Sequence, residues 1–299
     1  MIEYSQEDLI LALKGIGIKE GDILQVSTEL FRLGRLKGVK SSEELSKKIL
    51  ESIFHVIKET GTVVVNTYTT YVGRYGVPFD YEHSKPTTGS FSEYVLSLPD
   101  SVRSLHPINS VAAIGYDKDA ICLNVSASNY GIDSPFSRLL DRKCQVLRLG
   151  LDYVHNAFYH VAETLYGLPY IYNKVLDAEV IVQGEKINKK FFSAVRYLQY
   201  PIEETLDMLK DALGRSDCVH SAELGGGLIH SVDANEYFNI VISLLKEDPY
   251  IFLKEPPKFI KGEIPWDGIT AGRDRVPNSA NYILRPAREE NSERHGDVL

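Results

Sequence analysis

The feature that most constrains this chain is a strand, loop, helix and strand in series near its start. Ile23-Leu24-Gln25-Val26-Ser27-Thr28 reads as a strand. Ser41, with Glu44 three residues on, is a capping box that opens a helix running to about Glu59. Leu45, Ile49, Ile53 and Ile57 lie on one face of that helix, and Gly61 stops it before the buried run Val63-Val64-Val65. A helix returning the chain from one strand to the next is the mark of an α/β sheet. The expectation is a mixed twisted β-sheet flanked by helices. An earlier helix, Ser5 to Gly15, is marked by Ser5 with Asp8 and by an apolar stripe of Leu9, Ile10, Leu13 and Ile16.

Composition sets outer bounds. Of 299 residues, 43% are hydrophobic and 25% charged, enough for a large core. The texture changes near Glu255, where Pro256-Pro257, Pro265-Trp266 and scattered charges replace apolar periodicity. The expected organisation is one domain over 1–254 and an irregular extension over 255–299. A formal net charge of −8 with no basic stripe argues against a nucleic-acid partner. Cys122, Cys144 and Cys218 are too far apart for a CxxC or a disulfide framework, and read as buried residues in a reducing compartment. No apolar run approaches the ~18 residues of a membrane span, and MIEYSQEDL lacks the pattern of a leader. The expectation is a cytoplasmic protein with no membrane or nucleic-acid partner and no metal, a homo-oligomer being left open.

Candidate chemistry concentrates in Ser134 to Glu163. Pro135 to Leu140 can start a helix, Cys144 to Leu149 alternates as a strand ended by Gly150, and Ala157 to Glu163 reads as a helix. His160 and Glu163 are three apart and share a helical face near a strand end, suited to moving a proton. A surface ion pair would show the same spacing. The loop from Ser27 to Ser41 holds hydroxyls, two glycines, Arg35 and Lys37 before a helix start, a weak phosphate-binding pattern without a Walker motif. Tyr68 to Ser90 reads as a long irregular loop rich in Tyr, Gly and Pro. Candidate acceptor contacts are Tyr71, Asp80, His106 in the His106-Pro107 turn, and Glu223 beside Gly225-Gly226-Gly227. Further on, Ala178 to Val182 reads as a strand, Ile202 to Leu213 as a helix, and Glu223 to Lys246 as a turn plus helix.

Taken together, Val26-Ser27-Thr28-Glu29-Leu30, Leu33-Gly34-Arg35, Arg103-Ser104-Leu105-His106-Pro107, Ser110-Val111-Ala112-Ala113-Ile114-Gly115, Ser134-Pro135-Phe136 and His160-Val161-Ala162-Glu163 resemble the aminoglycoside 3-N-acetyltransferase family. The resemblance runs in the family's order from about Leu9 to Leu253. It implies that family's fold rather than the GNAT fold, and acetyl-CoA as co-substrate. It implies donor contacts at Ser27, Thr28, Gly34, Arg35, Leu36 and Lys37, with Ser110 and Val111 flanking the thioester. It makes His160 the general base of a direct transfer to an amine, with Glu163 beside it and Asp152 and Asp80 as rival orienting carboxylates. The acceptor is an aminoglycoside or, alternatively, a nucleotide-linked amino sugar of surface-polysaccharide (O-antigen) synthesis, for which Arg74, Lys85 or Arg103 would supply positive charge. A CoA-binding member without turnover is the non-enzymatic alternative; a serine hydrolase lacks its GxSxG elbow. The chain departs from the family pattern at Val26, at Asn109, where the family often has histidine, and at Lys37-Gly38-Val39.

Overall fold

The computed structural model describes residues 2–197, 200 and 202–259. Strand β1 (Glu3–Tyr4) leads into α1 (Gln6–Gly15), where Ser5 Oγ accepts the Asp8 N–H and the Asp8 carboxylate accepts the Ser5 N–H. There follow β2 (Ile23–Thr28), a 3-10 turn (Leu30–Leu33), β3 (Arg35–Leu36), α2 (Ser42–Ile57) and β4 (Thr62–Asn66). The middle of the chain holds α3 (Thr70–Tyr75), β5 (Phe79–Asp80), α4 (Ser90–Ser97), β6 (Val102–Arg103), β7 (Val111–Gly115), α5 (Lys118–Cys122), α6 (Pro135–Asp141) and β8 (Gln145–Leu149). It closes with α7 (Ala157–Tyr166), β9 (Ile171–Val182), β10 (Glu185–Arg196), α8 (Asp207–Gly214), β11 (Val219–Leu224), β12 (Gly227–Asp233) and α9 (Ala234–Glu247).

The main sheet has the order β11-β12-β8-β2-β4-β7-β6. Its centre is parallel, β2 pairing with both β8 and β4, and its flanks are antiparallel. This is the mixed α/β sheet expected. Strand β4 explains why the valine run carries no alternation: Val64 packs with residues of α5 to α9, whereas Val63 and Val65 pack with α1, α2 and α4. A strand covered on both faces is hydrophobic on both. Each side chain so buried, such as Ile49 or Ile53 of α2, contributes roughly 1.5–3 kcal/mol.

Four expectations are corrected. The segment after Tyr68 is not one long loop, since α3 and β5 lie within it. The strand at Ala178 is one end of a twelve-residue β9 that pairs along its length with β10. Most side chains of this hairpin are exposed or half-buried, so no apolar period announces it. Its turn, Gln183-Gly184, has positive φ at both residues (51° and 80°), as a two-residue hairpin turn requires. Likewise, the glycine turn joins two strands, β11 and β12, and α8 begins at Asp207 rather than Ile202, because Glu204 bridges to Leu253. Phe79, Val180, Phe191, Tyr71 and Val72 form a small separate core that ties the hairpin to α3.

The cysteines are buried and free, as expected. Backbone pairing extends to Lys254, whose N–H bonds the Glu203 carbonyl. Most of the expected extension, 260–299, lies outside the described residues. Among those described, no helix is long and apolar enough to cross a membrane.

Candidate active site

The site is built on α7. Asn156 caps it, its Oδ1 accepting the Phe158 N–H at 3.0 Å, and Gly167 ends it in the left-handed conformation. Phe158, Tyr159, Val161 and Ala162 pack into the core, which leaves His160 on the rim of a cleft with Glu163 one turn below. His160 Nδ1–H donates to Glu163 Oε2 at 2.8 Å. Arg196, the last residue of β10, donates from Nη2 to the other oxygen, Oε1, at 3.1 Å, and also to Glu204. Glu163 is 2% exposed, and each of its oxygens has a charged or polar donor. With Nδ1–H committed, the His160 Nε2 lone pair is the one free to take a proton.

Burial opposes the charge on Arg196, but the Glu204 hydrogen bond and the Glu163 charge outweigh it and raise its pKa overall. Glu204 is likewise opposed by burial and held down by Arg196. His155, whose ring centroid is 5.4 Å from that of His160, is pushed down first by burial and then by the neighbouring His160. The cleft encloses about 320 Å³. Across it the Tyr130 ring lies 5.5 Å from His160. A chain of hydrogen bonds sets that wall: Asn129 Oδ1 accepts the Ala194 N–H at 3.1 Å, Asn129 Nδ2 donates to Asn109 Oδ1 at 3.2 Å, and Asn109 Nδ2 donates to the Tyr130 hydroxyl at 3.2 Å. Tyr130 donates onward to Tyr68 at 3.1 Å, and burial pushes its own pKa up to about 12. The wall is therefore neutral near pH 7.

The family model described as aminoglycoside 3-N-acetyltransferase matches residues 30–246. The chain belongs to that family. Membership makes it an N-acyltransferase. Among curated relatives, the SPbeta prophage-derived aminoglycoside N(3')-acetyltransferase-like protein YokD of Bacillus subtilis (strain 168) is 28% identical over 204 residues, 60% of this chain and 71% of that protein. Aminoglycoside N(3)-acetyltransferase IV from Salmonella sp is 23% identical over 264 residues, 85% of this chain and 92% of its own. Among solved structures, aminoglycoside acetyltransferase AAC(3)-Xa has a TM-score of 0.71 at 19% identity, covering 82% of this chain and 93% of its own. AAC-IIIb in binary complex with CoASH has 0.70 at 20%, covering 85% of this chain and all of its own. These are similar folds, and the fold class expected from sequence is the one found.

The structure brings His160 and Glu163 together and makes Glu163, rather than Asp152 or Asp80, the carboxylate on the imidazole. Asp152 Oδ1 instead accepts the Val154 N–H, and Asp80 caps its own turn at Glu82 and His83. Ser110 and Val111 do not face the cleft. Ser110 is fully buried, bonded to the Thr67 carbonyl and to Arg103, and Val111 is core. The residues that reach the cleft from this segment are Ile108 and Asn109, so the family departure at Asn109 falls in the cleft wall. His106 is a structural residue rather than an acceptor contact: its Nδ1 accepts the N–H groups of Ile108 and Asn109, and its Nε2–H donates to the Phe192 carbonyl. Burial lowers its pKa to about 4, so it stays neutral.

Tyr71, buried with its hydroxyl on the Lys85 carbonyl, Asp80, and Glu223, exposed on β11, also lie outside the cleft lining. Arg103 supplies no charge to a ligand, since it is buried and donates to the carbonyls of Tyr81, Ser84 and Thr67. Lys85 pairs with Glu93 at the surface, and the Arg74 side chain lies outside the described part. In the first loop the Arg35 and Lys37 N–H groups are taken by the Ile2 and Tyr4 carbonyls, and Leu36 is buried. Gly34 (φ 92°) lies so close to Ile2 that a Cβ would meet its carbonyl at 2.4 Å. Two of that loop's backbone N–H groups are therefore already paired within the protein. Ser27, which accepts a bond from Gln25 Nε2, and Thr28 end β2 away from the cleft lining. Sequence reading missed Arg196, Tyr130, Asn129 and Ser193; none sits in a local motif with His160.

Proposed function

We propose that the protein transfers the acetyl group of acetyl-CoA to an amine of an aminoglycoside or amino sugar, within a ternary complex, with His160 as general base. One observation carries the reading: His160 is held by Glu163 in the tautomer that leaves Nε2 free at the cleft. Acetyl-CoA as donor is supported by the family and by the CoASH complex of AAC-IIIb. An aminoglycoside or a related amino sugar as acceptor is supported by the names of the relatives and by AAC-VIa bound to sisomicin.

In the proposed step the amine nitrogen bonds to the thioester carbonyl carbon while Nε2 takes an N–H proton. The tetrahedral intermediate then collapses, the C–S bond breaks, and the thiolate leaves with the proton returned by the imidazolium. Glu163 accepts the Nδ1–H throughout and stabilises the imidazolium, as the carboxylate of a triad does. Because Arg196 holds the other oxygen, the carboxylate stays in place through the proton cycle.

The test is CoA thiol release from acetyl-CoA with a panel of aminoglycosides and amino sugars, free and nucleotide-linked. His160→Ala is expected to reduce turnover by about 10²–10⁴-fold with CoA binding retained. Unchanged turnover in His160→Ala would sink the assignment. CoA binding without release from any acceptor would favour a member that no longer turns over.

A further inference from the structure

Arg196 does not belong to Glu163 alone. Its Nη2 donates to Glu163 Oε1 at 3.1 Å and to Glu204 Oε1 at 2.5 Å, so one nitrogen serves two carboxylates and lies nearer the second. Glu204 is outside the cleft lining, yet its backbone is held firmly. It bridges to Leu253, the Thr205 N–H bonds the Phe252 carbonyl, and the Lys254 N–H bonds the Glu203 carbonyl. Phe252 is fully buried, and its ring meets that of Tyr159, the residue before His160, at 5.2 Å. The segment after α9 thus ties the backbone at Glu204 to α7.

The charges around His160 show what this placement does. Glu163 and Tyr159 face it from α7, His155 from the loop before that helix, and Tyr130 from across the cleft. Arg196 stands behind Glu163, with Glu204 and Tyr170 beyond. Further out, Lys254 is paired with Glu203, and Arg148 is bonded to the carbonyls of Asp152 and His155. Burial raises all three tyrosines, which stay neutral, and pushes His155 toward its neutral form. Among the described residues, the charges in this cluster are therefore those of Glu163, Arg196 and Glu204. An Arg196 bound to Glu163 alone would cancel its charge and leave an imidazolium no net partner. With Glu204 on the same guanidinium, one negative charge is in excess, and it acts through the carboxylate that accepts the Nδ1–H. We infer that Glu204 is a positioning residue of the reaction: by drawing Arg196 to itself it leaves Glu163 a negative charge for the His160 imidazolium. This rests on the acetyltransferase reading above.

The experiment follows the acid limb of kcat/KM for CoA release in the wild-type protein, Glu204→Gln, Glu204→Asp, and Glu204→Gln combined with Arg196→Met. Glutamine keeps an oxygen for Nη2 and removes only the charge. Loss of a negative charge disfavours the imidazolium, so His160 stays neutral to lower pH. At ~9 Å in a half-exposed setting the limb of Glu204→Gln should move down by about half a pH unit to one unit. Glu204→Asp should hold it near its wild-type position, and the double variant should return it above that of Glu204→Gln. A proton NMR titration of the His160 ring, identified by the signal lost in His160→Ala, should give the same order without substrate. Thermal unfolding checks that each variant is folded. A limb and ring titration that stay in place in Glu204→Gln, or move equally in Glu204→Asp, would overturn the inference and leave the acetyltransferase reading standing. No CoA release from any amine by the wild-type protein, with acetyl-CoA bound in equilibrium dialysis, would overturn that reading and this inference with it.

Discussion

Replacing Arg196 by methionine removes a charge from the far side of Glu163 while keeping an unbranched apolar stem. The guanidinium lies 3.1 Å from one Glu163 oxygen, and His160 Nδ1 lies 2.8 Å from the other. The charge is thus about 7 Å from the imidazole, and at an effective dielectric of about 20 its repulsion of an imidazolium is on the order of 2 kcal/mol, or one to two pH units. Its loss favours protonated His160. A base must be neutral to accept a proton, so the acid limb of the kcat/KM profile should move up by about one unit or more. Activity at the acid end of the profile should fall more than activity at its alkaline end. The variant should also lose stability, by about 3–5 kcal/mol at most, because Glu163 is left buried with one partner. Arg196→Lys restores the charge and should return the limb most of the way to its wild-type position even where the rate does not recover. The assay is CoA release from pH 5.5 to 9 at fixed ionic strength, with thermal unfolding in parallel. An acid limb unmoved in the methionine variant, or moved equally in both variants, would refute the charge argument.

Two further outcomes follow from buried groups. His106 titrates at an ordinary 6.5 when unfolded and at about 4 when folded, so between those values the unfolded chain binds more protons. Stability should therefore fall as pH drops from 6.5 toward 4, by up to about 3 kcal/mol from this group; urea midpoints should show a shallower slope in His106→Asn, whose side-chain oxygen can still accept from the following N–H groups. Gly115 closes β7 at φ 121°, and a Cβ there would meet the Gly61 carbonyl oxygen at 2.3 Å. Gly115→Ala should cost roughly 2–4 kcal/mol, visible as a lower urea midpoint; an unchanged midpoint would mean the strand end relaxes freely.

Local signals in the sequence determined much of this molecule. Ser5 with Asp8, Ser41 with Glu44, and the stripe of Ile49, Ile53 and Ile57 set α1 and α2, because caps and periodicity act within one or two turns of chain. Val63 to Val65 marked the central strand, and His160 with Glu163 was legible because i and i+3 side chains meet on any helix. What lay beyond reach depends on partners distant in sequence. Arg196 reaches Glu163 across 33 positions, through a hairpin whose exposed faces carry no apolar period. The loop after Ser27 has the composition of a phosphate cradle, yet the Ile2 and Tyr4 carbonyls take the N–H groups of Arg35 and Lys37. Arg103, His106 and Ser110 look like functional residues in a chemical motif, and the fold spends them on buried backbone carbonyls and N–H groups. A side chain's type sets which bonds it can make; which of them it makes is decided by the groups that tertiary packing brings within about 3 Å.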